Sequence, residues 1–165
     1  MNAPTSAKRI STIDTPVQQI PDGFDGTFWN SDTIAQLLRD IGLDYVAICP
    51  GSSFRGLHES LVNHLGNERP EMMLCLHEEN AIAHGYARVT GRPMGVIVHC
   101  NVGLMHASMA VYNAWCDRMP ILILGGSGPL DSVRRRTPID WLHSVADQGA
   151  LVRNSSPPRR RPSWR

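Results

Sequence analysis

Four short apolar runs, separated by segments with helical spacing, most constrain the fold of this chain. The runs cover residues 45–49, 72–76, 94–98 and 120–124. Each has the length of a strand, and each is apolar almost throughout, which is typical of a strand covered on both faces. Because strands and helices alternate in units of about 25 residues, the pattern predicts an α/β fold with a parallel sheet and helices on both faces.

The two ends of the chain differ in composition from this central part. Residues 1–27 are polar, with scattered prolines and no sustained period, and we expect a flexible lead-in. Residues 28–154 form the single predicted domain, in which the part after residue 126 is irregular apart from a short helix near 140–145. Residues 155–165 are dominated by proline and arginine and are expected to be disordered. We interpret the abrupt change at Ser155 as a shifted reading frame or a truncated gene.

Charge and cysteine usage exclude several classes of function. The formal net charge of +1 gives no global field for binding nucleic acid, and no apolar run approaches the roughly 20 residues of a membrane span. The four cysteines lie apart, in or beside apolar segments, without the close pairs that zinc sites use. We therefore expect a cytoplasmic protein with reduced cysteines, no metal site, and no nucleic-acid or membrane partner.

Glu78 is the leading candidate for chemistry. It follows the second apolar run directly and precedes an alanine-rich helical segment over residues 79–90. This order places it at the carboxyl edge of the sheet, where open α/β folds bind their ligands. A carboxylate between apolar segments is poorly solvated, which raises its proton affinity. Alternatively, Glu78 and Glu79 are ordinary acidic residues in the first turn of a helix, where the helix dipole favours them.

Several motifs in a fixed order resemble a known family. They are His77-Glu78-Glu79-Asn80-Ala81, Gly85-Tyr86-Ala87-Arg88, Gly91-Arg92-Pro93, Pro50-Gly51-Ser52-Ser53, Val98-His99-Cys100 and Asn113-Ala114-Trp115. Together they resemble the amino-terminal pyrimidine-binding domain of thiamine-diphosphate enzymes, a group that includes acetolactate synthase, benzoylformate decarboxylase and pyruvate decarboxylase. The similarity covers residues 32–154, and its downstream part is most similar to the benzoylformate decarboxylase branch.

The resemblance implies a cofactor and a role for each candidate residue. The cofactor is thiamine diphosphate, which serves as the electron sink for a carbanion formed from a 2-oxo acid. Glu78 matches the glutamate that exchanges a proton with the aminopyrimidine ring, and His99 matches a histidine that faces the substrate. Pro50 and Gly51 match a loop whose backbone approaches the cofactor. Without the resemblance, His99 is equally well a satisfied histidine at a strand end, and Pro50-Gly51 only a turn.

The resemblance also implies that parts of the machinery lie elsewhere. In the family a further domain holds the diphosphate through magnesium with a Gly-Asp-Gly motif, and this sequence contains no such motif. We therefore expect a chain that is inactive alone and that forms a homo-oligomer or binds a partner domain. Glu79 to His84 also supply six residues where the family usually has eight. Two missing helical residues turn the rest of the helix by roughly 200°, and a compensating slide of the strand would bring Leu76 near the place of Glu78.

Two other functions compete with a lyase or synthase of this kind. The first is a non-catalytic interaction module that pairs with a separately encoded diphosphate-binding domain. The second is an unrelated flavodoxin-like nucleotide binder. The loop after the first strand disfavours the nucleotide binder, because Pro50-Gly51-Ser52-Ser53-Phe54-Arg55 is not a glycine-rich phosphate loop.

Overall fold

The computed structural model describes residues 28–76, 79–128, 131, 133 and 139–155, with the side chains of Glu79 and Trp141 outside that description. The predicted lead-in therefore lies outside the described residues. So does the predicted tail, except for Ser155, which ends the last helical segment.

The described residues form four strands and five α-helices, in the order that the sequence predicts. The strands are β1 Tyr45–Ile48, β2 Glu71–Leu74, β3 Met94–Val98 and β4 Ile121–Gly125. The α-helices are α1 Asn30–Asp40, α2 Arg55–Glu59, α3 Glu79–Thr90, α4 Cys100–Cys116 and α5 Ile139–Leu142. Three tighter or wider helical segments complete the described fold: the 3₁₀ turns Ser52–Phe54 and Gln148–Ser155, and the π-helical segment Ser60–His64.

The strands form one parallel sheet in the order β2-β1-β3-β4. Alternate residues of β1 point to opposite faces, so Val46 and Ile48 belong to one apolar cluster and Ala47 to the other. The first cluster includes residues of α1 and of the helical segment after β1; the second includes residues of α3 and α4. The predicted fold class, a parallel sheet covered by helices on both faces, is confirmed.

Three details differ from the prediction. The helix expected after β1 is divided into a 3₁₀ turn, α2 and a π-helical segment. Helix α4 begins at Cys100, directly after β3, and not at residue 103. The part after residue 126 also contains the segment Gln148–Ser155, which packs against α4 and places Val152 against the second apolar cluster. Its apolar residues are too few for a helical period to be recognised in the sequence.

Candidate functional site

The strand order creates a topological switch point at the carboxyl edge of β1 and β3, and we name this edge the crevice because crevices of open α/β sheets form there. After β1 the chain passes to β2 on one side, and β3 then lies on the other side of β1. The helical segment after β1 packs on one face of the sheet, whereas α4, which follows β3, packs on the other. The two connections therefore diverge at this edge. Ligands of open α/β sheets bind at such a switch point.

Two of the predicted site residues meet at this crevice. Gly51 lies in the loop after β1, and His99 is the first residue after β3. A Cβ atom on Gly51 would lie 2.7 Å from the Cβ and Cγ atoms of His99, so the loop can approach the imidazole this closely only because residue 51 is glycine. The sequence predicted both residues as site residues, and the structure brings them into contact. Pro50 lies beside them and is exposed.

Ser53 contacts the same imidazole from the loop after β1. Its Oγ lies 2.8 Å from Nδ1 of His99. On its other side, Ser53 packs against Gly126, which follows β4: a Cβ atom on Gly126 would lie 2.8 Å from the Cβ of Ser53, and still closer to its Oγ. The ends of β1, β3 and β4 are thus joined through Gly126, Ser53 and His99.

A second imidazole faces His99 from the carboxyl-terminal part of the described chain. The ring of His143, which follows α5, lies 5.0 Å from that of His99, centroid to centroid. Nδ1 of His143 donates to the carbonyl oxygen of Ile139 over 2.8 Å. Burial lowers the pKa of His99, and repulsion by His143 lowers it further. Both effects favour the neutral form of His99.

The backbone at His99 is also unusual. Cys100, the next residue, has φ 42°, in the left-handed region that non-glycine residues rarely adopt. This turn lets α4 begin directly after β3, with His99 as its N-cap residue. The thiol of Cys100 lies 3.5 Å from Nδ1 of His99. Such backbone conformations cluster at functional sites, where they orient side chains.

Glu78, the leading candidate from the sequence, lies outside the described residues. The structure shows where the strand before it ends. Strand β2 lies next to β1, and the amide of Cys75 donates to the carbonyl oxygen of Ile48 over 2.8 Å. Leu76, two residues before Glu78, is 88% exposed. An apolar side chain this exposed beside the crevice offers a surface that a ligand or another domain could cover.

Sequence reasoning did not select Ser53, Gly126 or His143 as site residues. For Ser53 and Gly126 a signal exists, since each follows a predicted strand within a few residues and belongs to a loop at the same sheet edge. No such signal exists for His143, because the short helix predicted near 140–145 follows an irregular segment, and the sequence does not place it at a sheet edge. The described residues contain no group of three or more His, Cys, Asp or Glu side chains that could hold a metal ion. Within the same residues, no helix is both long enough and apolar enough to cross a membrane.

The fold and the crevice define a class: a doubly covered parallel α/β domain with its ligand-facing edge at the β1/β3 switch point. Comparison with known proteins narrows this class. Residues 29–151 match the family described as thiamine pyrophosphate enzyme, N-terminal TPP binding domain. Because this match covers most of the chain, the protein belongs to that family. The resemblance drawn from the sequence motifs is thereby confirmed.

Individual relatives agree with this assignment. The chain is 33% identical over 98 residues to the acetolactate synthase large subunit of Haemophilus influenzae, covering 58% of this chain and 17% of that protein. It is 29% identical over 134 residues to a protein named "Probable 2-ketoarginine decarboxylase" from Pseudomonas aeruginosa, covering 76% and 22%. A solved structure of a thiamine diphosphate-dependent 4-hydroxybenzoylformate decarboxylase from Rhodococcus jostii superposes with a TM-score of 0.58 at 27% identity, covering 73% and 22%. The chain thus spans about a fifth of the length of these relatives.

Proposed function

We propose that this chain provides the pyrimidine-binding side of a thiamine diphosphate site in a 2-oxo-acid decarboxylase or an acetolactate-synthase-like enzyme. The observation that carries the proposal is the contact between Gly51 and His99 at the β1/β3 switch point, in a chain of this family. When bound, the cofactor supplies an electron sink for the carbanion formed from the 2-oxo acid. A cytoplasmic location agrees with the four free cysteines, since oxidising compartments favour disulfides.

The residues around the crevice fit one half of the cofactor. Pro50, Gly51 and the exposed Leu76 present an uncharged surface suited to an aromatic ring. The other half is a diphosphate, which family members bind through magnesium. We assign the ring to this chain, and the diphosphate with its magnesium to the further domain that the family resemblance implies.

Each candidate residue then has a defined task. Glu78 holds and moves a proton at the pyrimidine ring, which requires a carboxylate of raised proton affinity in a dry pocket. His99 faces the substrate with its imidazole. Pro50 and Gly51 keep the loop after β1 short of side-chain bulk, so that backbone can approach the ring. The small-molecule partner is a 2-oxo acid.

The chain alone should be inactive. A ring held by one carboxylate and a few backbone groups binds near the millimolar end, roughly 4 kcal/mol. Calorimetry with thiamine diphosphate and magnesium should therefore show weak binding by the chain, and an assay with pyruvate should show no carbon dioxide release. Adding a diphosphate-binding domain from a relative should restore cofactor binding and turnover. Tight binding by the unaided chain would contradict this division of the site.

Two matched variants test the assignment of Glu78 in the complemented enzyme. Glu78→Gln retains the shape but cannot exchange the proton, so turnover should fall by at least about 100-fold, the size of a general acid–base contribution. Glu79→Gln, one residue along, should change turnover less than about threefold. Equal losses in both variants, or a larger loss in Glu79→Gln, would overturn the assignment. Circular dichroism of both variants checks that the fold is retained.

A second candidate function is an interaction module without chemistry of its own. One observation favours it: α4 carries a row of exposed apolar side chains, which we name the α4 patch. The α4 patch consists of Val102, Met105, Met109, Tyr112 and Trp115. Met105 is 59% and Met109 67% exposed, and an apolar row of this kind is typical of an interface.

We propose that the α4 patch contacts either a second copy of this chain or a separate diphosphate-binding domain. Sedimentation velocity of the chain alone, and then with such a domain, distinguishes the two. A monomer in both experiments, up to high concentration, would contradict the interaction function and leave the catalytic proposal to the cofactor assays.

A further inference from the structure

The hydrogen-bonding state of His99 follows from the groups that surround its Nδ1 atom. The hydroxyl of Ser53 lies 2.8 Å from Nδ1, and the thiol of Cys100 lies 3.5 Å from it. Both groups carry a hydrogen that they can donate, and sulfur is a weak acceptor. Two donors facing one ring nitrogen favour a lone pair on that nitrogen.

The alternative arrangement leaves hydrogens without acceptors. If Nδ1 carried the hydrogen, Ser53 would accept it, and the hydroxyl hydrogen of Ser53 would need another acceptor. Among the residues that the structure describes, the Oγ of Ser53 has no other hydrogen-bond partner than Nδ1 of His99. Because this contact is partly buried, leaving that hydrogen without a protein partner costs free energy. The arrangement with every hydrogen used is therefore the one in which Ser53 donates to Nδ1.

We propose that Ser53 is a positioning residue that holds His99 in the neutral tautomer with hydrogen on Nε2, so that His99 offers the ligand a hydrogen-bond donor and not a base. What this N–H meets rests on the proposed function: an oxygen atom of a 2-oxo acid, its carboxylate or its keto oxygen. Either oxygen is an acceptor only, which matches an N–H donor. A base at this position would instead require a lone pair on Nε2.

Gly126 makes this arrangement possible from the end of β4. Ser53 packs so closely against Gly126 that a Cβ atom there would lie 2.8 Å from the Cβ of Ser53. A side chain at position 126 would therefore displace the hydroxyl from Nδ1. Gly51 acts from the other side, where a Cβ atom would lie 2.7 Å from the imidazole. Gly51 and Ser53 thus contact the ring itself, and Gly126 contacts Ser53.

His143 provides an internal comparison with the opposite tautomer. Its Nδ1 contacts the carbonyl oxygen of Ile139 at 2.8 Å, and a carbonyl only accepts. Nδ1 of His143 must therefore carry the hydrogen, and its Nε2 carries the lone pair when the ring is neutral. The two neighbouring imidazoles should give distinct patterns in one spectrum.

Long-range proton–nitrogen NMR correlation on the full chain, labelled with ¹⁵N-histidine, tests the proposal. His99→Gln and His143→Gln assign the two rings. At a pH above the histidine pKa values, His99 should show the Nε2–H pattern and His143 the Nδ1–H pattern. An Nδ1–H pattern for His99 in the unchanged protein would overturn the proposal.

Three variants separate positioning from general packing. In Ser53→Ala the ¹⁵N resonance of Nδ1 should move to the position of a ring nitrogen that accepts no hydrogen bond from a hydroxyl. The pKa of His99 should rise, because a donor to Nδ1 stabilises the neutral ring. Gly126→Ala should cause the same two changes while keeping the hydroxyl. Ser52→Ala, at the neighbouring exposed serine, should cause neither. A fall in the pKa of His99 in Ser53→Ala would mean that Ser53 accepts from Nδ1–H, and would refute the proposal.

These spectra do not depend on catalysis. An Nε2–H tautomer in a chain that no partner domain can activate would leave the role of Ser53 intact and remove the proposed function. An Nδ1–H tautomer in a chain that can be activated would refute the role of Ser53 and leave the proposed function intact.

Discussion

Asn80 is the least favourably placed polar side chain of the described core, and replacing it should stabilise the fold. It lies in the first turn of α3 and is 1% exposed, and neither its amide nitrogen nor its amide oxygen has a hydrogen-bond partner among the residues that the structure describes. The helical period explains its burial. Asn80, Ala83 and Ala87 are spaced three and four residues apart, and both alanines are fully buried. Asn80 therefore lies on the face of α3 that packs on the sheet.

The size of the effect follows from the two unpaired atoms. A buried polar group without a partner costs about 1–3 kcal/mol, so two such atoms cost about 2–6 kcal/mol together. Asn80→Leu replaces both atoms by methyl groups on a side chain with the same number of heavy atoms. Imperfect packing of the bulkier leucine opposes the gain by about 1–3 kcal/mol. We expect a net gain of about 1–3 kcal/mol, a rise in Tm of about 2–12 °C for a chain of this size.

Urea unfolding followed by circular dichroism measures this gain, with thermal unfolding as the second readout. Asn113→Leu, at an exposed position of α4, is the matched control and should change stability by less than about 0.5 kcal/mol. Asn80→Asp should strongly destabilise, because it buries a charge without a partner. A loss of more than about 1 kcal/mol in Asn80→Leu would show that the amide is paired in solution, and the reasoning from burial would fail.

Three further predictions concern single side chains. Replacing His143 by glutamine should raise the pKa of His99, because repulsion by His143 lowers it; an unchanged NMR titration would argue against contact of the two rings. Burial raises the pKa of Asp44, but a tyrosine hydroxyl and two arginines lower it more, so the pKa in the folded state lies below the ordinary 3.8. The ionised carboxylate therefore stabilises the fold above pH 3.8, and this stabilisation is lost as the pH falls through the pKa of the folded state. Asp44→Asn should therefore cost about 1 kcal/mol at pH 7 and progressively less in urea titrations below pH 3.8. Met109→Lys should weaken self-association in sedimentation velocity, whereas Val89→Lys, at an exposed apolar residue outside the α4 patch, should leave it unchanged.

Local sequence signals predicted the elements whose periods are uninterrupted. Helix α3 and strand β3 have the predicted bounds, because an alanine-rich helical period ends at Gly91 and a five-residue apolar run comes after it. The start of α4 was predicted three residues late. The sequence has no sign that Cys100 adopts a left-handed conformation, and it is this conformation that lets a helix follow β3 without a loop.

The candidate site was less accessible to prediction, because its contacts join strands that are distant in the chain. Gly51 and His99 follow strands that are neighbours only in the sheet order, and 48 residues separate them in sequence. Ser53 and Gly126 are further apart still. Predicting that these loops lie at one edge requires only that the strands be parallel. Predicting which atoms meet requires the register between β1, β3 and β4, and apolar runs do not specify it.

The same register explains why the contact between Ser53 and His99 is a property of the fold. Val46 pairs with Gly95 and Ile97 with Leu124, so β1, β3 and β4 end within one residue of one another, and the loops after them meet side by side. Ser53 can reach the imidazole only from that position, and Gly126 leaves room for it only because β4 ends beside β3. A shift of one strand by two residues would keep every apolar face buried. It would nevertheless move Ser53 or Gly126 by about 6–7 Å, more than twice the length of the hydrogen bond to Nδ1. The contact between Ser53 and His99 therefore depends on the register of the sheet, whereas the burial of the apolar core does not distinguish this register from one shifted by two residues.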